Sequence, residues 1–198
     1  MSGPDAAYWA VVKPMFGKID TGTSPENYLA SIAGLPRSEV GLYAAHVCLA
    51  EIFNGGLLQF FWNKAGVLAP EAAEGFVAVG MTQMAALIRG IAAQLGDPYP
   101  RDRDDRWDAL LMASGRSESD LTRIFEEVSS GSDSHEAVNF YRAFLTATEP
   151  MGFDKLNEKA WDLAETENGG FAEAANRYVL SFTPVEVNDD PGRHDNHS

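Results

Sequence analysis

The stretch Glu51-Ile-Phe-Asn-Gly-Gly-Leu-Leu-Gln-Phe-Phe-Trp-Asn63 constrains the fold more than any other part of the chain. It is apolar and aromatic, but it is interrupted by one acid, two glycines and three amides. Asparagine and glycine tolerate the left-handed conformation that ends many helices, so residues 54–56 predict a helix stop. Leu57, Phe60 and Phe61 then follow at helical spacing. The stretch therefore predicts a tight corner between two buried helices.

The polar residues of this stretch are predicted to be structural. Glu51 lies near the C-terminal end of the first helix, where the helix dipole disfavours a carboxylate, and the free N–H groups of residues 56–59 are the expected compensation. Gln59 and Asn63 lie on one face of the second helix. We predict that the amides satisfy backbone groups around the corner. The alternative is a ligand pocket. The predicted motif residues are Glu51, Asn54, Gly55, Gly56, Gln59, Phe60, Phe61 and Asn63.

The rest of the chain follows the helical period, and no segment shows sustained strand alternation. We predict an all-α fold, with one compact domain of about eight helices over residues 1–183 and a disordered tail at 184–198. Residues 38–53 are the most continuously apolar helix and so the central one. Residues 70–95 are predicted to form one long helix, with Gly80 at a close approach of another helix. A second Asn-Gly-Gly, at 168–170, predicts another helix stop, but different residues follow it, so no repeat is inferred.

The net charge of −14 excludes some partners. It opposes binding to nucleic acid and to anionic membranes, because both are negative. The N-terminus does not read as a signal peptide, and no run approaches the roughly 20 apolar residues of a membrane span. We expect a cytoplasmic protein whose acidity serves either a basic partner or solubility.

Catalytic and metal sites are not predicted. The four histidines lack other ligands at useful spacing. Cys48 is the sole cysteine and sits in an apolar run, where a buried thiol is expected rather than a nucleophile. The glycines at 55–56 lack the lysine and the preceding strand of a phosphate loop. We predict no catalytic residue, no metal and no cofactor. The histidines are His46, His135, His194 and His197.

Acidic residues are concentrated in the C-terminal half, where residues 97–173 hold 18 acids against 8 bases. The interleaved Arg101, Arg103 and Arg106 favour a solvated surface whose charges pair with each other. The alternative is that the carboxylates imitate the regularly spaced phosphates of DNA. The candidate partner-binding acids are Asp102, Asp104, Asp105, Asp108, Asp120, Glu126 and Glu127.

The motif Glu-x-x-Asn-Gly-Gly-x-x-Gln-Phe-Phe-x-Asn at 51–63 resembles the signature of the bacterial DNA-mimic protein family, and the resemblance covers about residues 38–182. Leu57 departs from it, because an aromatic residue is expected there. The resemblance implies a helical fold and an acidic protein, dimeric in at least one member, that occupies the DNA-binding surface of a transcription factor. The motif itself resembles fold architecture, so the mimicking carboxylates are not among its residues.

Three functional hypotheses follow. The first is an acidic interaction protein that binds a basic DNA-binding protein, with a homodimer as the candidate oligomeric state. The second is an enzyme or small-molecule-binding protein that uses Glu51, Asn54, Gln59 and Asn63, and it predicts an open pocket at the corner. The third is a helical immunity-type protein whose acidity serves solubility, and it predicts mixed charge on every face with an apolar contact patch.

Overall fold

The computed structural model describes residues 7–130 and 136–182. Within these ranges the chain forms ten α-helices and four short 3-10 helices, and no strand. The all-α prediction is confirmed, whereas the predicted number of about eight helices is too low. The predicted tail at 184–198 lies outside the described residues, as do His135, His194 and His197.

The α-helices are α1 Ala7–Val12, α2 Pro25–Ile32, α3 Arg37–Trp62, α4 Ala69–Ala78, α5 Thr82–Leu95, α6 Arg103–Ala113, α7 Glu118–Ser130, α8 Glu136–Thr148, α9 Phe153–Thr166 and α10 Phe171–Leu180. The 3-10 helices are Lys13–Gly17, Lys64–Leu68, Glu149–Met151 and Glu167–Gly169. These short 3-10 helices follow α1, α3, α8 and α9, and the other α-helices follow one another directly along the chain.

Helix α3 is the centre of the fold, as its apolar sequence predicts. It contacts α1, α4, α6 and α9. Its contact with α4 is close, because Gly41 faces Gly75 and a Cβ atom on Gly75 would lie 2.0 Å from the Gly41 carbonyl oxygen. The main core is therefore built around α3.

Helix α3 is also long and apolar enough to cross a membrane, by length and composition alone. The relevant window is 61% buried inside the fold, and a core helix meets the same criterion. The expectation that no segment approaches a membrane span was thus wrong for α3. Its central position accounts for its apolarity, so the length of α3 is weak evidence for a membrane span.

The predicted long helix at 70–95 is two helices, α4 and α5. Gly80 has φ 78°, which ends α4 in the left-handed region. Gly80 is closely approached by Asn168 of the 3-10 helix Glu167–Gly169, since a Cβ atom on Gly80 would lie 2.7 Å from Asn168 Nδ2, whereas the close contact between two α-helices occurs at Gly75. Apolar residues such as Phe76 and Met84 are buried on both sides of the break, so one periodic pattern runs through two helices.

The C-terminal helices add a smaller cluster of buried residues. Helix α7 packs on α8, and Ile124, Ala143 and Ala147 form the buried centre of that contact. Helix α8 reaches the main core through Phe144, whose ring lies 4.3 Å from that of Trp62. The indole of Trp62 in turn stacks on Trp107 of α6 at 4.2 Å. Helices α6 and α8 are thus joined to the end of α3 by aromatic rings.

Candidate functional site

Helix α3 changes direction at Gly56, where φ is 89° and ψ is 179°. Glycine alone adopts this conformation readily. The N–H of Leu57, the next residue, donates to Asn157 Oδ1 of α9 at 2.7 Å. A Cβ atom on Gly56 would lie 2.6 Å from Asn157 Nδ2. The predicted stop and immediate restart of the helix are confirmed, and we refer to residues 54–57 as the Gly56 corner.

The carboxylate of Glu51 is held by the two amides of the second segment of α3. Oε2 of Glu51 accepts a hydrogen bond from Gln59 Nε2 and another from Asn63 Nδ2, both at 2.8 Å. The predicted compensation of Glu51 by backbone N–H groups was wrong, because side-chain amides provide it. Gly55 leaves room for this arrangement, since a Cβ atom there would lie 2.0 Å from Gln59 Oε1.

The remaining motif residues divide into buried rings and one exposed amide. Phe60 and Phe61 are completely buried. Asn54 is exposed, and its side chain makes no hydrogen bond within the described part of the chain. The prediction that all three amides satisfy backbone groups was therefore wrong. The side chains of Gln59 and Asn63 donate to Glu51, and among the described residues the side chain of Asn54 bonds neither to a backbone group nor to Glu51.

The C-terminal end of α3 is capped by side chains of α6. Arg106 donates through Nε to the Phe61 carbonyl at 3.1 Å and through a terminal nitrogen to the Asn63 carbonyl at 2.9 Å. The indole of Trp107 donates to the Trp62 carbonyl at 3.0 Å. The carbonyls of Phe61 and Trp62, at the end of the helix, thus gain side-chain donors, and the Asn63 carbonyl gains one besides the N–H of Gly66.

Arg106 is only 1% exposed, and burial lowers the pKa of its guanidinium. A cation at the negative end of a helix is favourable, which helps to offset its desolvation. Nothing in the sequence distinguishes this arginine from its exposed neighbour Arg103, so the sequence analysis missed it.

Helix α9 is anchored on the other side of the Gly56 corner. Besides the contact of Asn157 with Leu57, Trp161 donates from its indole nitrogen to the Ile52 carbonyl at 3.3 Å. These bonds join residues about a hundred positions apart in the chain. The motif therefore holds both α6 and α9 by hydrogen bonds to its own backbone.

The acids at the start of α6 are exposed and mostly unpaired. Asp102 caps the helix by accepting from the backbone N–H groups of Asp104 and Asp105. Their one ion pair within 4 Å among the described residues joins Asp104 to Arg103 at 4.0 Å. The expected pairing of acids with interleaved arginines therefore holds only for Arg103, because Arg101 pairs with Glu71 at 2.7 Å and Arg106 is buried. The exposed acids are Asp102, Asp104, Asp105 and Asp108.

The acids predicted on α7 are in a different situation. Arg123 lies 3.2 Å from Asp120 and 3.3 Å from Glu127, one turn away on either side. The hydroxyl of Ser117 and then Arg123 lower the pKa of Asp120. Glu126 is exposed. Part of the charge of α7 is thus neutralised within the helix itself.

A second acidic row lies on α9 and was missed among the predicted sites. Asp154, Glu158, Asp162 and Glu165 are all exposed, at spacings of four, four and three residues. Such spacing places them on one helix face, opposite the buried Ala160 and Leu163. Within the described ranges none of the four lies in an ion pair shorter than 4 Å. Their spacing was visible in the sequence, so helical periodicity applied to acids would have found them.

Charge is unevenly divided along the chain. Residues 1–96 hold seven acids and five bases, whereas residues 97–182 hold eighteen acids and nine bases. The excess of acids is therefore concentrated in the second half, although bases occur there too, such as Arg123 on α7 and Lys155 and Lys159 on α9. No group of three or more histidine, cysteine, aspartate or glutamate side chains is placed to hold a metal ion in the part of the chain that the structure describes.

Comparison with known proteins gives one match. The model of a family described as DMP19-like protein matches residues 33–181, close to the span of the resemblance noted from the sequence. No curated protein matches the chain, and no solved structure matches it.

Proposed function

Because this chain belongs to the DMP19-like family of DNA-mimic proteins, we propose that it binds a basic DNA-binding protein, such as a transcription factor, on the surface that would otherwise contact DNA. The partner-facing groups are the exposed carboxylates of α6 and α9. Binding of this kind inhibits the partner, since DNA and the acidic protein compete for the same basic surface.

The observation that carries this proposal is the pair of exposed, largely unpaired acidic rows on two helices that the motif anchors. A helix rises about 1.5 Å per residue, so acids four positions apart are separated by about 6 Å along its axis. Asp104 and Asp108 have this spacing on α6, as do Asp154 and Glu158 on α9. Such rows resemble the regular charges of a nucleic-acid strand.

The anchoring of these helices supports recognition by shape as well as charge. Arg106 and Trp107 fix α6 to the end of α3, and Asn157 and Trp161 fix α9 to the Gly56 corner. Carboxylates on fixed helices lose little freedom when a partner binds. The motif thus contributes to binding by positioning acids that lie outside it.

The two competing hypotheses receive less support. The uneven charge argues against acidity that serves solubility alone. An open groove does lie beside the corner, but Glu51, Gln59 and Asn63 are not among its lining residues. The carboxylate and the two amides are engaged with one another, which favours the structural role over a ligand site.

A capture experiment tests the proposal. Immobilised protein is exposed to host lysate at low salt and eluted with a salt step, in parallel with samples that contain competing duplex DNA. We expect a basic DNA-binding protein that elutes with salt, because screening weakens exposed charge pairs, and that DNA displaces. Capture that duplex DNA leaves unchanged contradicts mimicry.

Two triple variants with the same change in net charge test whether binding depends on the position of the acids or only on the total charge. Glu158→Gln, Asp162→Asn and Glu165→Gln neutralise most of the α9 row, whereas Glu26→Gln, Glu39→Gln and Glu74→Gln remove three acids from the first half. We expect the first variant to lower affinity for the captured partner by about tenfold or more and the second to have little effect. Equal losses in both variants mean that only total charge matters.

A further inference from the structure

A groove lies beside the Gly56 corner, between the end of α8 and the start of α9, and has a volume of about 480 Å³. We refer to it as the α8–α9 groove. Leu58 and Phe153, 4% and 6% exposed, are among its lining residues, and Leu145 is a further lining residue that is 43% exposed. The groove therefore offers apolar surface to an incoming group.

The ionisable residues that line this groove are both acids, and Arg116 lies at its edge, where it donates to the carbonyl of the lining residue Thr146 at 3.0 Å. Two acids, Glu149 and Asp154, are among the lining residues and no base is. Glu149 pairs with Arg116 at 3.6 Å, but its side chain is 78% exposed, so that pair contributes little. Asp154 is also the first member of the acidic row on α9, which makes the groove continuous with that row.

An apolar strip on α8 leads to the groove. Val138 and Tyr141 precede Leu145 at helical spacing, so the three share one side of the helix. Val138 is 44% exposed. Arg142, the one base on α8, is not among the lining residues of the groove. Apolar exposure next to exposed acids has no counterpart in the phosphate surface of DNA, so charge imitation alone does not explain it.

We propose that the α8–α9 groove takes an apolar side chain from an amphipathic basic helix of the partner while the acids of α9 contact its basic residues. This inference rests on the proposed function and specifies the partner further. Charge complementarity selects a basic segment, and the volume of the groove and its apolar lining residues select a leucine-sized anchor, as in other helix-in-groove contacts. The anchor distinguishes one basic protein from others that meet the acidic rows equally well.

Two synthetic peptides test this inference on the full chain. One is a lysine- and arginine-rich helical peptide of about fifteen residues with two leucines on one face. Its twin has serine in place of both leucines. Binding of each is measured by fluorescence anisotropy over a range of salt concentrations. We expect the leucine peptide to bind about tenfold more tightly than its twin, with the difference persisting at high salt because burial of apolar groups is not screened.

Three variants locate the effect. Leu145→Ser is expected to reduce the preference for leucine to less than about threefold, and Leu145→Met, which keeps an apolar side chain of similar size, is expected to retain it. Met112→Ser on α6 is the matched control, because Met112 is 80% exposed and is not among the lining residues of the groove. It is expected to leave the preference unchanged. Thermal unfolding checks that each variant is folded.

The outcomes separate this inference from the proposed function. Equal, salt-sensitive binding of both peptides overturns the groove and leaves the acidic surface supported. Binding of neither peptide at low salt counts against the acidic surface itself. A change in sedimentation of Leu145→Ser with an unchanged preference for leucine assigns the groove to contacts between copies of this chain, and that also overturns the inference.

Discussion

The two Asn-Gly-Gly corners of the chain, at 54–56 and 168–170, share their letters and part of their backbone. Gly56 has φ 89° and ψ 179°, and Gly170 has φ 85° and ψ 155°. In each case a helical segment begins at the next residue. The final glycine therefore has the same role at both corners, which is to interrupt the helical path in a conformation that a side chain opposes.

The asparagines of the two corners differ. Asn168 is itself left-handed, with φ 53°, and its Nδ2 donates to the Val79 carbonyl at the end of α4 at 2.7 Å. Glu167 beside it accepts from the N–H groups of Gln83 and Met84 at the start of α5. Side chains of the second corner thus bond to backbone groups of neighbouring helices, whereas at the Gly56 corner a backbone N–H donates to the side chain of Asn157. A short motif of this kind therefore determines the local backbone conformation, whereas the neighbouring residues determine which hydrogen bonds its side chains make.

We expect the largest effects when the last glycine of each corner is replaced. These variants test whether Gly56 and Gly170 have the same role. Gly56→Ala and Gly170→Ala each place a Cβ in a strained conformation, and we expect each to lower the free energy of unfolding by about 1–3 kcal/mol. In Gly56→Ala the new Cβ also displaces Asn157. Urea denaturation of both variants measures the loss. A large loss in one variant and none in the other would break the equivalence of the two corners.

Asn157→Ala tests whether the Gly56 corner depends on a distant residue. The variant leaves the N–H of Leu57 without its acceptor in a buried position, and we expect a loss of about 1–3 kcal/mol in the free energy of unfolding. Asn157→Asp keeps an acceptor oxygen and is expected to recover part of that loss. Faster amide hydrogen exchange at Leu57 in the alanine variant checks the location. Unchanged exchange there would mean that another group satisfies this N–H.

Glu167→Ala tests whether the second corner stabilises the start of α5. It removes the carboxylate that accepts from two N–H groups at the start of α5, and such caps contribute about 0.5–2 kcal/mol. Glu165→Ala, which removes an exposed acid without an ion pair, is the control for the same change in charge. We expect a lower unfolding midpoint in the first variant only. Equal midpoints would show that Glu167 does not support α5.

The corners also show which features can be predicted from the sequence. Local rules were sufficient for the stop at Gly56 and for Ser24, whose hydroxyl accepts from the N–H of Asn27 at the start of α2. Burial of Cys48 followed from its apolar surroundings and is confirmed. Each of these depends on a residue and its near neighbours in the chain.

Long-range partners could not be predicted in this way. Arg106 reaches the end of α3 across more than forty residues, and Asn157 reaches Leu57 across a hundred. Nothing in the surrounding pattern marks either residue as different from a surface arginine or asparagine. The break at Gly80 was missed for another reason: α4 and α5 bury faces that continue one helical period, so the pattern conceals the turn between them.

We expect the smallest change in stability from a substitution at Asn54. Comparing it with Asn168 tests whether only the second asparagine stabilises the fold. The predicted role of Asn54 in satisfying backbone groups would make Asn54→Ala destabilising, but the residue is exposed and its side chain is unbonded within the described ranges. We now expect a change within about 0.5 kcal/mol. Asn168→Ala is expected to cost about 1 kcal/mol, because it removes the bond to the Val79 carbonyl. Matched urea denaturation curves measure both. A loss at Asn54 as large as that at Asn168 would restore the structural role. Unchanged stability together with weaker partner binding would instead place Asn54 on the binding surface, since it adjoins Gly55, which lines the α8–α9 groove.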